Sequence, residues 1–200
     1  MIRSRSISSY HGPMLGLLFF LAIALGCASG PSLQVVEMEP RAGTEGLTPG
    51  LSVIFFDGMF KHVAIMPSGD RAKRLGKPGK PVLIINNRFG EGPVYDSGMK
   101  TGVGLEMNGF IRFPAPGTYV FKAMSNDGAR VTAAGKHVVV DPDAHKDRFS
   151  EPVELRVDRP GLYPIQVRYF QRRYTATLEL YWKTPGAADF VIVPAEAYWH

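Results

Sequence analysis

The stretch VELRVDRPGLYPIQVRYFQRRYTATLELYW, residues 153–182, decides the fold of this chain. Apolar side chains stand at every second position in three separate runs, and mostly polar side chains fill the positions between them. The apolar positions are Val153, Leu155 and Val157; Ile165, Val167 and Tyr169; and Ala176, Leu178, Leu180 and Trp182. Alternation of this kind is the period of a β-strand that buries one face. The Pro160-Gly161 pair between the first two runs suits the centre of a type II turn. The stretch therefore predicts three strands of an antiparallel sheet.

Further strands are predicted on both sides of this stretch. Continuous apolar runs and segments that flank Pro-Gly turns lie at residues 51–56, 82–85, 104–113, 117–125 and 190–193. With 22 Gly, 16 Pro and 11% aromatic residues among 200, the composition favours many short strands joined by turns. No segment has an apolar stripe at helical spacing. We predict an all-β domain over residues 49–200, an antiparallel β-sandwich or barrel of about 8–10 strands.

The composition and the absence of catalytic motifs exclude several classes of protein. Hydrophobic residues make up 45% and charged residues 20%, which is the balance of a folded chain. The single cysteine excludes an internal disulfide framework and a multi-cysteine zinc site. The five histidines lack zinc-ligand spacing, and neither a Walker loop nor a Gly-x-Ser-x-Gly elbow occurs. We therefore predict that the chain is not an enzyme.

Residues 1–26 are predicted to be an export signal rather than part of the fold. Arg3 and Arg5 precede a twelve-residue apolar core at residues 14–25. That core is shorter than the roughly 20 residues that span a bilayer. Cys27 follows at once, which resembles the lipobox of bacterial lipoproteins, where the cysteine is lipidated and becomes the first mature residue. We predict lipidation of Cys27; the alternative is a plain secretory signal or an uncleaved anchor.

The predicted anchor sets the expected location and the expected partners. The chain would be exported and held at the outer membrane of a double-membraned host, or otherwise on the outer face of the cell membrane. Residues 27–48, rich in Gly, Pro, Ser and Thr, are predicted to be a flexible tether with an edge strand at residues 33–36. Removing residues 1–26 takes away two of the 23 basic residues and none of the 18 acidic ones, which leaves a net charge of +3. That charge is low for a nucleic-acid-binding protein, so no nucleic acid partner is expected.

Two charged loops match no known motif. Residues 68–80 hold five basic side chains against Asp70 alone. They are predicted to form a mobile loop that is either solvated or in contact with anionic lipid, polysaccharide or a partner protein. Residues 141–147 hold three aspartates and His145 but lack the glycine and terminal glutamate of an EF-hand loop, so a solvated loop is predicted there.

An ordered series of short motifs runs through the predicted strands. The motifs are Gly109-Phe110-Ile111, Pro116–Phe121, Ser125–Arg130, Gly135-Lys136, Pro160–Ile165 and Leu178–Trp182. Over about residues 50–200, this series resembles the PA-fourteen domain family, named after the protective antigen of a bacterial toxin and found also in fungal flocculin adhesins and several glycosidases. The resemblance implies an antiparallel β-sandwich or barrel that binds carbohydrate, in some members through calcium.

The candidate binding residues come from the loop that resembles the family's Ser-Asp-Asp-Gly motif and from a later loop. They are Asn126, Asp127 and Gly128, with Arg172 and Tyr174 from a later loop. Asn126 stands where the family often has aspartate, and residues 171–173, Gln-Arg-Arg, stand where the fungal adhesins supply an asparagine ligand. Two guanidinium groups would repel a cation, and Asp127 alone is a weak metal candidate because calcium prefers six to eight oxygens. We therefore expect no tight calcium site and no other cofactor. Asp127 is predicted to accept backbone N–H bonds instead, and Gly128 to adopt a conformation that a Cβ would disfavour.

The sequence leaves two functions from different classes open. The first is a membrane-anchored envelope lipoprotein whose β-domain binds a glycan or a cell-wall polysaccharide, with Tyr174 available to stack on a sugar ring. The second is a non-catalytic structural or assembly lipoprotein that binds a partner protein at the envelope. A carbohydrate module should expose aromatic or acidic groups at a concave loop end, whereas an assembly protein should expose a flat apolar or charged patch.

Overall fold

A computed structural model describes Met1 and residues 33–200 of the chain as a sandwich of two seven-stranded sheets. The first sheet contains β1 (Leu33–Val35), β4 (Asn86–Gly90), β6 (Gly117–Asn126), β9 (Arg148–Phe149), β10 (Val153–Val157), β12 (Ala176–Lys183) and β13 (Val191–Ile192). The second contains β2 (Ser52–Asp57), β3 (Lys77–Pro78), β5 (Val103–Phe113), β7 (Ala129–Ala133), β8 (Lys136–Asp141), β11 (Gly161–Gln171) and β14 (Tyr198–Trp199). The predicted all-β class is confirmed. The predicted signal peptide and Cys27 lie outside the described residues.

The strand order follows from antiparallel pairing. The first sheet runs β1-β10-β6-β12-β13, with β4 also on β12 and β9 on β6; the second runs β3-β2-β5-β11-β7-β8, with β14 on β5. Among the strands of residues 33–200, every pair is antiparallel except β1 with β10. The alternation of β10 is as predicted, because Val153, Leu155 and Val157 are buried while Arg156 is exposed. In β11 and β12 the polar side chains of Arg168, Thr177 and Glu179 are buried as well, so the prediction that one face of these strands would be exposed is wrong there.

Aromatic side chains fill one end of the core between the sheets. Phe113 packs against Tyr119 with ring centroids 4.7 Å apart, and Tyr119 packs against Trp182 at 5.5 Å. These distances lie in the range of favourable tilted and edge-to-face contacts. Phe113 and Tyr119 are fully buried, so this layer holds the two sheets together.

The basic segment at residues 68–80 differs from its prediction. It forms a short helix, α1 (Gly69–Leu75), followed by strand β3. Ala72 is the one buried residue of α1, and it joins a small second core with Phe56, Val63, Met66 and Phe170 on the outer face of the second sheet. A helix that buries a single alanine has no apolar stripe, which is why periodicity did not reveal it. Within residues 33–200, no helix is long and apolar enough to cross a membrane.

The described part of the predicted tether is packed onto the domain. The edge strand expected at residues 33–36 is present as β1, beside β10. Arg41 and Leu162 exchange two backbone hydrogen bonds of 2.9 Å, and Thr48 pairs in the same way with His200. The prediction of a flexible tether is therefore wrong for residues 33–48, because these backbone groups complete sheet edges.

The predicted strand at residues 82–85 is also irregular. Val82 exchanges backbone hydrogen bonds with Leu51, and the carbonyl of Ile85 accepts one from Leu180. Leu83 and Ile84 between them are exposed, and regular pairing begins at β4. The apolar run therefore crosses from the second sheet to the first instead of forming one buried strand.

Candidate functional site

A cleft of about 620 Å³ lies at one end of the sandwich, where three connections meet. Strand β6 ends at Asn126, β11 ends at Gln171, and β12 begins at Ala176. Thr177 is paired with Asn126 in the sheet, so the loop before β12 is placed directly beside the end of β6. The lining residues are Asn126, Asp127, Ala144, His145, Lys146, Asp147, Arg172, Arg173, Tyr174 and Thr175.

Asp127 forms the floor of the cleft and connects two loops. Its Oδ2 accepts a 2.7 Å hydrogen bond from the backbone N–H of Arg172, and its own N–H donates to the carbonyl of Phe170. The residue is 9% exposed, and this burial raises the pKa of the Asp127 carboxyl, while the Arg172 N–H and the charges of Arg172 and His145 oppose the rise. Asp127 therefore accepts a backbone N–H bond, as predicted, and fixes the position of residue 172.

Asn126 is held on both its side chain and its backbone. Its Nδ2 donates to Thr175 Oγ1 at 3.1 Å, and the hydroxyl of the buried Tyr169 donates to its carbonyl. The peptide bond between Asn126 and Asp127 is cis. Burial raises the pKa of Tyr169 well above its usual value, so this hydroxyl stays protonated and remains a donor.

Gly128 is required for a different reason from the one predicted. Its φ does not lie in the positive region that ten other glycines of the described chain occupy. A Cβ at this position would instead lie 2.6 Å from the Asp143 carbonyl oxygen and 2.7 Å from the Phe170 ring. The prediction of an unfavourable backbone conformation is wrong; close packing of a neighbouring loop excludes a side chain.

The loop at residues 141–147, predicted to be solvated, is an ordered wall of the cleft. Asp141 is buried, and it accepts hydrogen bonds from Arg148, including one of 2.9 Å from Nε. His145 Nε2 lies 3.0 Å from Asp141 Oδ2, and His145 Nδ1 lies 2.7 Å from the Lys146 carbonyl. Asp143 and Asp147 remain exposed. The sequence showed the charges of this loop, but the pairing of Asp141 depends on how β8 and β9 leave their sheets.

The rim of the cleft carries Tyr174 and three cations. Tyr174 is 77% exposed and has φ 65°, a left-handed conformation that holds the loop turned outward. The Gln171 side chain donates to the Tyr174 carbonyl at 3.3 Å. Among the described residues, neither Lys146, Arg172 nor Arg173 has a carboxylate within 4.0 Å. The structure thus brings Arg172 and Tyr174 to Asn126 and Asp127, and adds Lys146 and Thr175, which sequence reasoning did not select.

Three oxygens at this site are already engaged in hydrogen bonds within the chain. Asp127 Oδ2 is taken by the Arg172 N–H, the Asn126 carbonyl by Tyr169, and the Gly128 carbonyl by the Phe170 N–H. Calcium requires six to eight oxygen ligands, and the cleft places guanidinium groups beside its one buried carboxylate. Within the described part of the chain, no three acidic, histidine or cysteine side chains come together as a metal site. The donors of this cleft therefore offer calcium a poor fit.

The sequence matches the family model described as the PA14 domain over residues 84–196, more than half of its length. The chain belongs to the PA14 domain family, as its motifs predicted. A search of curated protein sequences finds no match.

Solved structures share this fold at low sequence identity. Epithelial adhesin 9 A domain from Candida glabrata, in complex with Galβ1-4GlcNAc, is 11% identical with a TM-score of 0.62, covering 85% of this chain and 94% of its own. The PA14 sugar-binding domain from an RTX adhesin is 15% identical with a TM-score of 0.54, covering 76% and 99%. An anti-sigma factor domain-containing protein from Clostridium clariflavum is 18% identical with a TM-score of 0.60; 76% of this chain matches 47% of that chain, so the match spans about half of that protein.

Proposed function

We propose that this protein is a lipid-anchored envelope protein whose PA14 domain binds carbohydrate in the cleft beside Asp127. The observation that carries the proposal is the exposed Tyr174 at the rim, next to fixed polar groups on Asn126 and Thr175. A pocket that combines an aromatic face with a few positioned polar groups is typical of small-ligand sites. Two structural neighbours support the choice of ligand, since one is described as sugar-binding and the other is in complex with a disaccharide.

The proposed function is non-catalytic. Asp127 is hydrogen-bonded to a backbone N–H, and Asp141 to Arg148, so both buried carboxylates beside the cleft have structural partners. The proposed activity is therefore recognition of a saccharide by stacking, hydrogen bonds and charge.

The anchor would hold the domain close to the membrane. Cys27 stands six residues before Leu33, the first residue of β1. Six residues span at most about 20 Å when fully extended. Replacing Cys27 with Ser should release the full-length chain from the membrane fraction and prevent lipid-linked processing. A Cys27→Ser variant that stays membrane-bound at the processed size would contradict the anchor.

A glycan array tests the carbohydrate proposal. The full-length chain is applied with calcium and with a chelator, and we expect binding in both conditions. Tyr174→Ala should reduce binding to background, because the stacking surface is lost. Leu83→Ala is the matched control, since Leu83 is exposed apolar surface away from the cleft and its removal should change nothing. Absence of binding to any glycan would contradict the proposal.

One observation favours the second function, binding of a partner protein. Residues 68–80 lie outside the part of the chain that matches the PA14 model, and Arg71, Arg74 and Lys77 are exposed there beside Leu75, which is 55% exposed. A basic patch with exposed apolar residues suits an acidic protein surface. Charge reversal of Arg71 and Arg74 should then abolish a crosslinked complex in intact cells, while glycan binding is unchanged. An unchanged crosslinking pattern would exclude this patch.

A further inference from the structure

The buried carboxylates at the cleft have hydrogen-bond partners within the chain, whereas the lysine and arginine side chains that line it form no ion pair among the described residues. This difference indicates which kind of saccharide fits the cleft. Each buried carboxylate at the site already has partners within the chain. Asp127 accepts the backbone N–H of Arg172, and Asp141 is hydrogen-bonded by Arg148 and lies 3.0 Å from His145. These two carboxylates therefore stabilise the folded chain through their contacts within it.

The cations of the cleft have no such partners. Across residues 33–200, the side chains of Lys146, Arg172 and Arg173 form no ion pair, and no side-chain hydrogen bond joins them to another residue. Of the described residues that line the cleft, Asp147 is the one exposed carboxylate. Lys146, Arg172 and Arg173 stand against two lining carboxylates, the buried Asp127 and the exposed Asp147, so the cleft carries a net formal charge of +1.

Arg172 is also fixed in place. Its backbone N–H is bound to Asp127, and its Nε is buried without a hydrogen-bond partner among the described residues. The stem of the side chain is therefore packed, and the residue lines the cleft. A guanidinium group held in this way loses little conformational entropy when it binds an anion.

Guanidinium groups recognise carboxylates and phosphates through paired, charge-assisted hydrogen bonds. We infer that the cleft selects anionic saccharides, those that carry a carboxylate or a phosphate, and that Arg172 and Arg173 bind the anionic group while Tyr174 contacts the sugar ring. The ligand's negative charge is then neutralised by the two arginines. This inference rests on the proposed carbohydrate function.

Matched pairs of saccharides provide the test. The full-length chain is titrated with oligogalacturonate and its carboxyl-reduced neutral form, and with glucose 6-phosphate and glucose. At least one anionic member should bind tenfold or more tightly than its neutral partner, and its affinity should fall as salt is raised. Inorganic phosphate and acetate are included as free anions, and should bind much more weakly than the anionic sugars.

Variants of the cleft arginines test which residues cause the preference for the anionic saccharide. Arg172→Gln and Arg173→Gln should each lower affinity for the anionic saccharide roughly tenfold, the loss expected for one charge-assisted hydrogen-bonding group, and leave affinity for the neutral one unchanged. Arg112→Gln removes an exposed arginine elsewhere and should change neither affinity. Melting temperatures of all variants report whether folding is intact.

The remaining outcomes contradict the inference in distinguishable ways. Equal binding of both members of each pair, still lost in Tyr174→Ala, would overturn the anionic selectivity and leave carbohydrate binding in place. If free anions bind as tightly as the anionic sugars, the sugar ring does not contribute to recognition, and the inference of a saccharide ligand is wrong. No binding of any saccharide would overturn both this inference and the proposed function.

Discussion

Arg168 and Arg172 lie four residues apart where β11 enters the cleft, and they have opposite surroundings. Arg168 is buried, donates hydrogen bonds to the carbonyls of Met66 (3.1 Å) and Pro67 (2.6 Å), and its Nε lies 3.2 Å from Glu106. Burial lowers the pKa of Arg168, and Glu106 opposes this shift. The Arg172 guanidinium has no partner in the described chain. The difference teaches that a buried arginine that pairs with a carboxylate and donates to backbone carbonyls stabilises the fold, whereas an arginine that forms no ion pair among the described residues is available for a ligand.

Arg168→Met should have the largest effect on stability. It leaves Glu106 buried without its cation, and breaking a buried ion pair by removing one partner costs about 3–5 kcal/mol. Urea unfolding of the full-length chain measures the change. The double variant Arg168→Met/Glu106→Leu should recover most of the loss, since no buried charge then remains. A loss under about 1 kcal/mol for the single variant would contradict a structural role for Arg168.

Gly128→Ala should reduce stability by about 1–3 kcal/mol, the range typical of overpacking. Its Cβ would meet the backbone carbonyls of Pro142 and Asp143, which cannot move without shifting the wall of the cleft. Gly186→Ala is the matched control, because Gly186 has φ 78° and open space around it. That variant should lose about 1 kcal/mol from backbone strain alone and keep the cleft intact. If Gly128→Ala and Gly186→Ala lose the same stability and bind ligand equally well, the loop that forms the wall of the cleft is not tightly packed against Gly128.

The titration of Asp127 should make the free energy of unfolding fall as the pH rises. Its pKa is raised in the folded chain, chiefly by burial. The stability gained from its protonation is fully present below about pH 3.9, the pKa of an unfolded aspartate, and is lost as the pH rises through the folded pKa. Asp127→Asn removes this titration and keeps an oxygen for the Arg172 N–H. Relative to the wild type, the free energy of unfolding of this variant should therefore increase with pH across that window, and a decrease would contradict the sign.

Arg172→Gln and Arg173→Gln should have the smallest effect on stability, within about 0.5 kcal/mol of the wild type. Neither guanidinium has a carboxylate partner in residues 33–200, so no native ion pair is lost. Thermal unfolding, measured alongside the ligand titrations, distinguishes this small change in stability from the large loss expected for Arg168→Met. A loss as large as that of Arg168→Met would show that the cleft arginines are structural.

The strands were predictable because they carry their signal locally. The alternation at residues 153–182 gave β10, β11 and β12, and glycine and proline marked the turns. Strands β7 and β8 were not predicted, since Ala129–Ala133 is short and rich in small residues and Val138 and Val139 are both buried, which hides the alternation. Helix α1 was missed because it buries one residue.

The candidate site was predictable only where a motif marked it. Asn126, Asp127 and Gly128 form a polar turn sequence that the family resemblance identified, and the same resemblance brought in Arg172. The pairing of Asp141 with Arg148, and the reason for glycine at position 128, depend on a loop that crosses from β8 in one sheet to β9 in the other. These contacts depend on the folded path of that loop between the two sheets, so no local pattern in the sequence predicts them.

Hydrogen exchange of the full-length chain, with and without the tightest-binding glycan of the array, tests the central claim most directly. If the cleft beside Asp127 is the binding site, the glycan should slow exchange in residues 126–128, 144–147 and 172–175. Exchange at Met66, whose carbonyl accepts a hydrogen bond from Arg168 on the outer face of the second sheet, and in α1 should be unchanged. Protection in residues 63–80 with none at the cleft would place the ligand on the basic patch and contradict the account.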